Sequence, residues 1–288
     1  MKRRAYTLCL TLLLLSILTF QDLPIVESAT EEEREYYIKS SVAYSNKGTN
    51  VWNFTDREKD YTVGLFMDNH WQTVSLVNST PLVKTIRNDT DGNRVAVLQF
   101  PKMLLNPGES INYTVTYNVV SKARTLSDIN VTAAQSLEEI PPTLKDKYSK
   151  GEGPWLINNT NLQNLAHNIT ENETNVLITI RDFVDWISNN ITYETQQVPQ
   201  YPNETLIEQE GDCDDQAILL ITLCRIVGIP AFLQIGAIHT YQLSNTSYWD
   251  GHFEVSQKRI GWHGWAMVYI PPWKWLPVDL TYVFGGLD

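Results

Sequence analysis

Cysteine is scarce in this chain: three residues in 288, and the first, Cys9, sits in an N-terminal apolar run. That excludes a disulfide-knit scaffold. Glycine and proline are also few, at 14 and 13, against a hydrophobic share of 43%, which excludes collagen-like and low-complexity classes. The length suits one or two globular domains. Basic residues are outnumbered 22 to 33, for a formal net charge of −11. A chain of that sign lacks the electrostatic footprint of a nucleic-acid binder or of a protein held on anionic lipid. A second long apolar run is missing too. The one present, "AYTLCLTLLLLSILTF", follows the basic "MKRR" and precedes the small-residue stretch "VESAT". Residues 1–29 therefore read as a secretory signal peptide cleaved near Ala29, and membrane attachment is expected only if that segment stays in place.

What the chain has in excess is Asn-x-Ser/Thr. Eleven such sequons run from Asn53 to Asn245, and ten of them use Thr. Random placement would give roughly three. With the leader, they predict a glycosylated protein, secreted or on the extracytoplasmic cell surface.

Two cysteines remain after the leader, Cys213 and Cys224, eleven residues apart in one predicted helix. Along a helix axis that is about 16 Å, and a disulfide needs Cα atoms within about 7 Å. Two free thiols are expected. Cys224, in "LITLCRIVG", reads as a small core residue.

The chain has two textures. Residues 31–135 hold short segments rich in β-branched and aromatic residues, separated by polar turns. In "INYTVTYNVV", Ile111, Tyr113, Val115, Tyr117 and Val119 share one face while Asn112, Thr114, Thr116 and Asn118 share the other. This half predicts an immunoglobulin-like β-sandwich, with a small barrel as the rival. Residues 136–154, broken by Pro and Gly, read as a linker. Residues 155–288 change period. Leu177, Ile180, Val184, Ile187 and Ile191 recur at steps of three and four, the spacing of one helix face. "GIPAFLQIGAI", "GWAMVYI" and "WLPVDLTYVF" then read as strands, so this half is α+β. The segment from His239 to Ile260 reads as a long connection bordering a cleft.

Cys213 stands in "EGDCDDQAILL", where an apolar helix begins. Asp212 is a good N-cap, and Asp215 three residues on suits a capping box. Gly228 and Pro230 stop the helix. A helix N-terminus favours thiolate over thiol and offers backbone N–H groups to an oxyanion. The neighbouring carboxylates act the other way, so the helix start alone does not make this cysteine a nucleophile. A nucleophile also needs a base and an orienting carboxylate. His263 opens a strand, and Asp279 lies in the next one among apolar residues. His252, between Gly251 and Phe253, is the competing base. A simple hairpin over "PPWK" pairs 270 with 275 and 266 with 279, which misses His263 by three residues and calls for a longer loop or a bulge.

The order "GDCDDQA…LCRIVGIPA", then "WHGWAMVYIPPWKWLPVDLTY", resembles the transglutaminase-like superfamily, a papain-related thiol fold. The resemblance covers roughly residues 155 to 282. It implies an α+β, transglutaminase-like (papain-like) core preceded by the β-sandwich. It implies Cys213 as nucleophile, His263 as base and Asp279 as orienting acid, with Tyr193 and Trp265 lining the substrate site. The activity implied is acyl transfer from peptide or amide bonds, with hydrolysis favoured over transamidation because water needs no second binding site. A protein or peptide is the expected partner, and no cofactor or metal is expected. "GDCDD" is more acidic than the corresponding stretch of animal transglutaminases and closer to that of bacterial transglutaminase-like cysteine proteases, some of which use calcium. Asp212, Asp214 and Asp215 are thus conceivable cation ligands, with capping and solvation preferred. The alternative function is a surface-structural or binding protein that keeps the fold without the chemistry.

Overall fold

The computed structural model describes residues 33–123, 128–171, 173–196, 198–249 and 253–281. The expected leader, the sequon at Asn172 and the competing base His252 lie outside them. The chain divides into two compact units, Met1–Thr125 and Leu126–Asp288.

Among the described residues, the first unit carries eight strands: β1 (Glu33–Ser45), β2 (Trp52–Asn53), β3 (Thr62–Gly64), β4 (Gln72–Thr80), β5 (Val83–Asn88), β6 (Arg94–Leu98), β7 (Leu104–Leu105) and β8 (Ser110–Lys122). They form two three-stranded sheets, β1-β8-β4 and β3-β6-β5, and a short β2-β7 ribbon, consistent with the expected immunoglobulin-like sandwich. Alternation decides the faces. Tyr113, Val115, Tyr117 and Val119 of β8 are buried, whereas Asn112 is exposed. They join Phe54, Tyr61, Val97, Leu98 and Phe100 in one core. β5, "VKTIRN", is an edge strand whose residues are mostly exposed, so it carries no alternating apolar signal to find in the sequence.

The second unit runs α1 (Pro142–Tyr148), α2 (Thr160–Thr170), α3 (Val176–Asn190), β9 (Thr192–Tyr193), α4 (Pro202–Glu208), β10 (Glu210–Gly211), α5 (Cys213–Ile226), β11 (Ala231–Trp249), β12 (Phe253–Ile270) and β13 (Lys274–Val278). The long strands make an antiparallel sheet in the order β11-β12-β13. Helix α5 is the hub. Leu219, Leu220, Ile221, Leu223 and Cys224 are fully buried and share a core with Phe183 and Ile187 of α3 and Ala266, Val268 and Ile270 of β12. Gly228, at φ +81°, takes the left-handed position that ends the helix, as its place after the apolar run predicts.

Two expectations are corrected here. Residues 136–154 are not a linker. They belong to the second unit, where Ile140 is buried in the core and α1 lies within the supposed linker. Pro141, Pro142 and Gly151 break up the pattern in sequence, but they serve the start of a helix and a close turn rather than a flexible join. Nor is the segment from His239 to Ile260 an irregular connection. β11 and β12 continue through most of it as hairpin arms, with a register shift between His239 and Ser244. Its turn-forming and polar residues, among them Ser244, Asn245, Ser247, Asp250 and Gly251, read in sequence as a connection.

Candidate active site

Cys213 is the first residue of α5, partly exposed, and its sulfur is free, as is that of Cys224. The helix start is built by carboxylates. The Asp212 N–H donates to Asp215 Oδ2 at 3.0 Å while the Asp212 carboxylate faces the Asp215 N–H, the reciprocal pair expected from the sequence. Asp215 is fully buried, and its other oxygen accepts the Gln200 N–H at 2.6 Å. Burial raises its pKa against those two backbone donors. Both oxygens thus accept backbone N–H groups of Asp212 and Gln200. The ligand atoms of Asp212, Cys213 and Asp214 lie within 4.8 Å of one another. Burial, and then the Asp214 carboxyl beside it, push Asp212 up to about 6.

The segment after α3 is stitched along this helix start. Tyr193 of β9 pairs in parallel with Gly211 of β10. The Glu194 N–H then donates to the Gly211 carbonyl at 3.3 Å, and the Gln196 N–H to Asp212 Oδ2, also at 3.3 Å. Tyr193 is half-exposed. Its hydroxyl pKa is raised, first by burial and then by the neighbouring Cys213.

β12 supplies the histidine. His263 is buried, and its Nε2 donates to Asp279 Oδ2 at 2.6 Å. Asp279 Oδ1 accepts the Thr281 N–H at 3.1 Å, which fixes the carboxylate. The ring also hydrogen-bonds Cys213. Burial alone would lower its pKa, but the bonds to Asp279 and Cys213 outweigh that and hold it at about 9. With Nε2 committed to Asp279, Nδ1 is the nitrogen left for sulfur. Cys213, His263 and Asp279, separated by up to 66 residues of sequence, are therefore brought together.

The register explains how. β12 and β13 pair Ile270 with Lys274 and Ala266 with Val278. The connection is thus one residue shorter than a turn over "PPWK", not longer, and no bulge is involved. Continuing that register sets Asp279 across from Trp265. A one-residue shift moves a side chain to the other face of a sheet. In the expected register Asp279 would share a face with Ala266; in the observed one it shares a face with His263 and Trp265. Asp279 also stands just past the last paired residue, not in mid-strand.

Three contacts that sequence reasoning did not identify position these groups. A Cβ on Gly264 would lie 2.9 Å from Asp214 Cβ, so this glycine lets the first turn of α5 close onto β12. A Cβ on Gly236 would fall 2.5 Å from the Trp265 indole, and that indole stacks on the His263 ring with centroids 5.8 Å apart. The third is the Asp215–Gln200 tether. The sequence signal for the glycines was available: an isolated Gly inside a strand marks close approach. Trp265, expected at the substrate site, is thus placed against the imidazole.

Residues 163–280 match the family model described as Transglutaminase-like superfamily. No curated protein matches the chain. Among solved structures, the chain is similar to a protein from Cytophaga hutchinsonii named "Putative Cysteine Protease", at 18% identity over 87% of this chain and 77% of that one, with a TM-score of 0.57. At that identity the likeness concerns fold. The periplasmic domain of TgpA from Pseudomonas aeruginosa aligns at 15% identity over 88% and 72% of the two chains, with a TM-score of 0.45. The same domain bound to ethylmercury gives 14%, 88% and 75%, and 0.44.

Proposed function

We propose that this chain, whose residues 163–280 carry a transglutaminase-like fold, is a thiol enzyme that acts on peptide or amide bonds outside the cytoplasm. The observation that carries the reading is His263 held between Asp279 and Cys213. The Cys213 thiolate attacks the carbonyl carbon and forms a C–S bond. The N–H groups at the start of α5 face the oxyanion, since the first turn of a helix has no intrahelical acceptor for them. The C–N bond then breaks, and the imidazolium of His263 gives its proton to the departing amine. Water adds to the acyl-enzyme, His263 takes its proton, and the thiolate leaves. Asp279 holds the ring with Nδ1 toward sulfur and stabilises the imidazolium. Hydrolysis is the favoured outcome.

Iodoacetamide at neutral pH, followed by peptide mapping, tests the nucleophile. Cys213 is expected to react at least a hundredfold faster than Cys224, whose thiol is buried and pushed well above the ordinary range. Equal labelling of the two in the folded protein would favour the non-catalytic alternative.

The extracytoplasmic setting rests on the leader and the sequons. Of the ten sequon asparagines among the described residues, Asn203 is half-buried and the other nine are exposed. An enzyme that strips N-glycans should therefore lower the mass of the protein purified from its source; an unchanged mass would remove this support.

A further inference from the structure

The apolar face of the long hairpin outruns the helix that covers it. Along β12, Ile270, Val268 and Ala266 are buried against the core around α5. Gly264 meets Asp214 in the first turn of that helix. Two residues further on the same face comes Trp262, 54% exposed. β11 repeats the pattern. Ala231 is buried, Leu233 packs against the core, and Ile235 is 64% exposed. Ile235 pairs with Gly264, and Trp262 with Ala237, so both side chains stand on the face that touches Asp214. The helix begins at Cys213, and beyond its first turn this face carries the two exposed apolar side chains. Trp262 and Ile235 are diagonal neighbours across the two strands and so form one exposed apolar patch next to the helix start.

The carboxylates of Asp212 and Asp214 flank the thiol, with the imidazole of His263 on its other side. A carboxylate-bearing side chain would meet the Asp212 and Asp214 carboxylates beside the thiol. An apolar side chain meets only the cost of leaving Trp262 and Ile235 wet.

Resting on the thiol-enzyme reading above, we propose that Trp262 and Ile235 form a specificity surface for a large apolar side chain beside the reacting carbonyl, and that the Asp212 and Asp214 carboxylates disfavour acidic residues there. The acyl donor is then a peptide segment with an aromatic or long aliphatic residue next to the bond attacked.

The test uses the full chain and three alkylating probes with one warhead: N-acetyl-phenylalanyl, N-acetyl-glycyl and N-acetyl-glutamyl chloromethyl ketone. Second-order rates of Cys213 modification are read by peptide mapping, with iodoacetamide as the side-chain-free reference. The expected order is Phe over Gly by roughly tenfold or more, with Glu below Gly. Trp262→Ala and Ile235→Ser should each lower the Phe:Gly ratio severalfold, and Trp262→Phe should retain most of it. The ratio is internal, so a general change in thiol reactivity cannot move it. The two positions are independent, so if one variant misfolds the other decides. Equal rates for the three probes, or a ratio unmoved by either substitution, overturns the surface while leaving the thiol reading intact. A Cys213 inert to iodoacetamide as well would overturn that reading and the surface with it.

Discussion

His263→Ala is expected to lower hydrolytic turnover by roughly a thousandfold or more, and the rate of Cys213 alkylation at neutral pH by one to two orders of magnitude. The imidazole is the one side chain among the described residues that contacts both Cys213 and a second carboxylate. Without it the ionisable groups near the thiol are the acids Asp212, Asp214 and Tyr193, and the Asp214 carboxylate lies 3.7 Å from sulfur. Carboxylates oppose thiolate formation. Asp279→Asn should cost roughly a hundredfold or more in turnover at nearly unchanged volume, because an amide cannot stabilise the imidazolium and can present its NH₂ to Nε2, favouring the wrong tautomer. Asp279 also receives the Thr281 N–H, so the carboxamide keeps the local turn and the loss falls on the ring. His252→Ala should leave both rates within about twofold, the size expected of a substitution outside the reacting groups. Rates in purified variants of matched fold, checked by circular dichroism, decide the matter. A His263→Ala enzyme with near-normal turnover would exclude the assignment.

Gly264→Ala should nearly silence the protein without removing any chemical group. The new methyl would sit 2.9 Å from Asp214 Cβ, inside the closest approach of carbon atoms, so strand and helix start must separate by some tenths of an ångström. The backbone at 264 is not left-handed, so the effect is steric rather than conformational. Overpacking of this kind costs about 1–3 kcal/mol of stability. The greater effect falls on geometry, because Cys213 is carried by the displaced turn and His263 by the neighbouring strand residue. A misplacement near 1 Å can cost about a hundredfold in rate. Gly236→Ala is the informative comparison. It displaces the Trp265 indole rather than backbone, so it should disturb the His263 ring through the lost stack while leaving α5 in place. Turnover in Gly264→Ala that matches the parent would show that the helix start is not held at this distance.

Much of this site was legible before any coordinates. Asp212, Cys213 and Asp215 follow local capping rules, and the helix they open ends at Gly228 where its sequence says it should. The periodic stripe of α3 was readable too, although its buried centre runs through Val176, Ile180, Phe183 and Ile187 more than through Leu177 and Val184. Long-range register was not. Nothing local in "YIPPWKWLPVD" says whether the turn takes three residues or four, and that single residue decides which face Asp279 occupies. Residues 136–154 misled for a related reason. Proline and glycine mark chain reversals, and only the burial of Ile140 distinguishes a reversal against a core from a free linker. The outer half of the β11–β12 hairpin pairs residues far from any turn signal in register, from Ser244 with Lys258 to Trp249 with Phe253, which the local sequence did not announce.

The central claim is that Cys213, His263 and Asp279 act as one electrostatic unit. With five histidines in the chain, the His263 ring can be followed by two-dimensional NMR across a pH titration. The ring should stay protonated through neutrality and titrate near 9, above the ordinary histidine value of 6.5. Cys213→Ala and Asp279→Asn should each bring that midpoint down, since each removes a partner that favours the charged ring. A midpoint at the ordinary value in the parent protein, or one that neither substitution moves, would contradict the account.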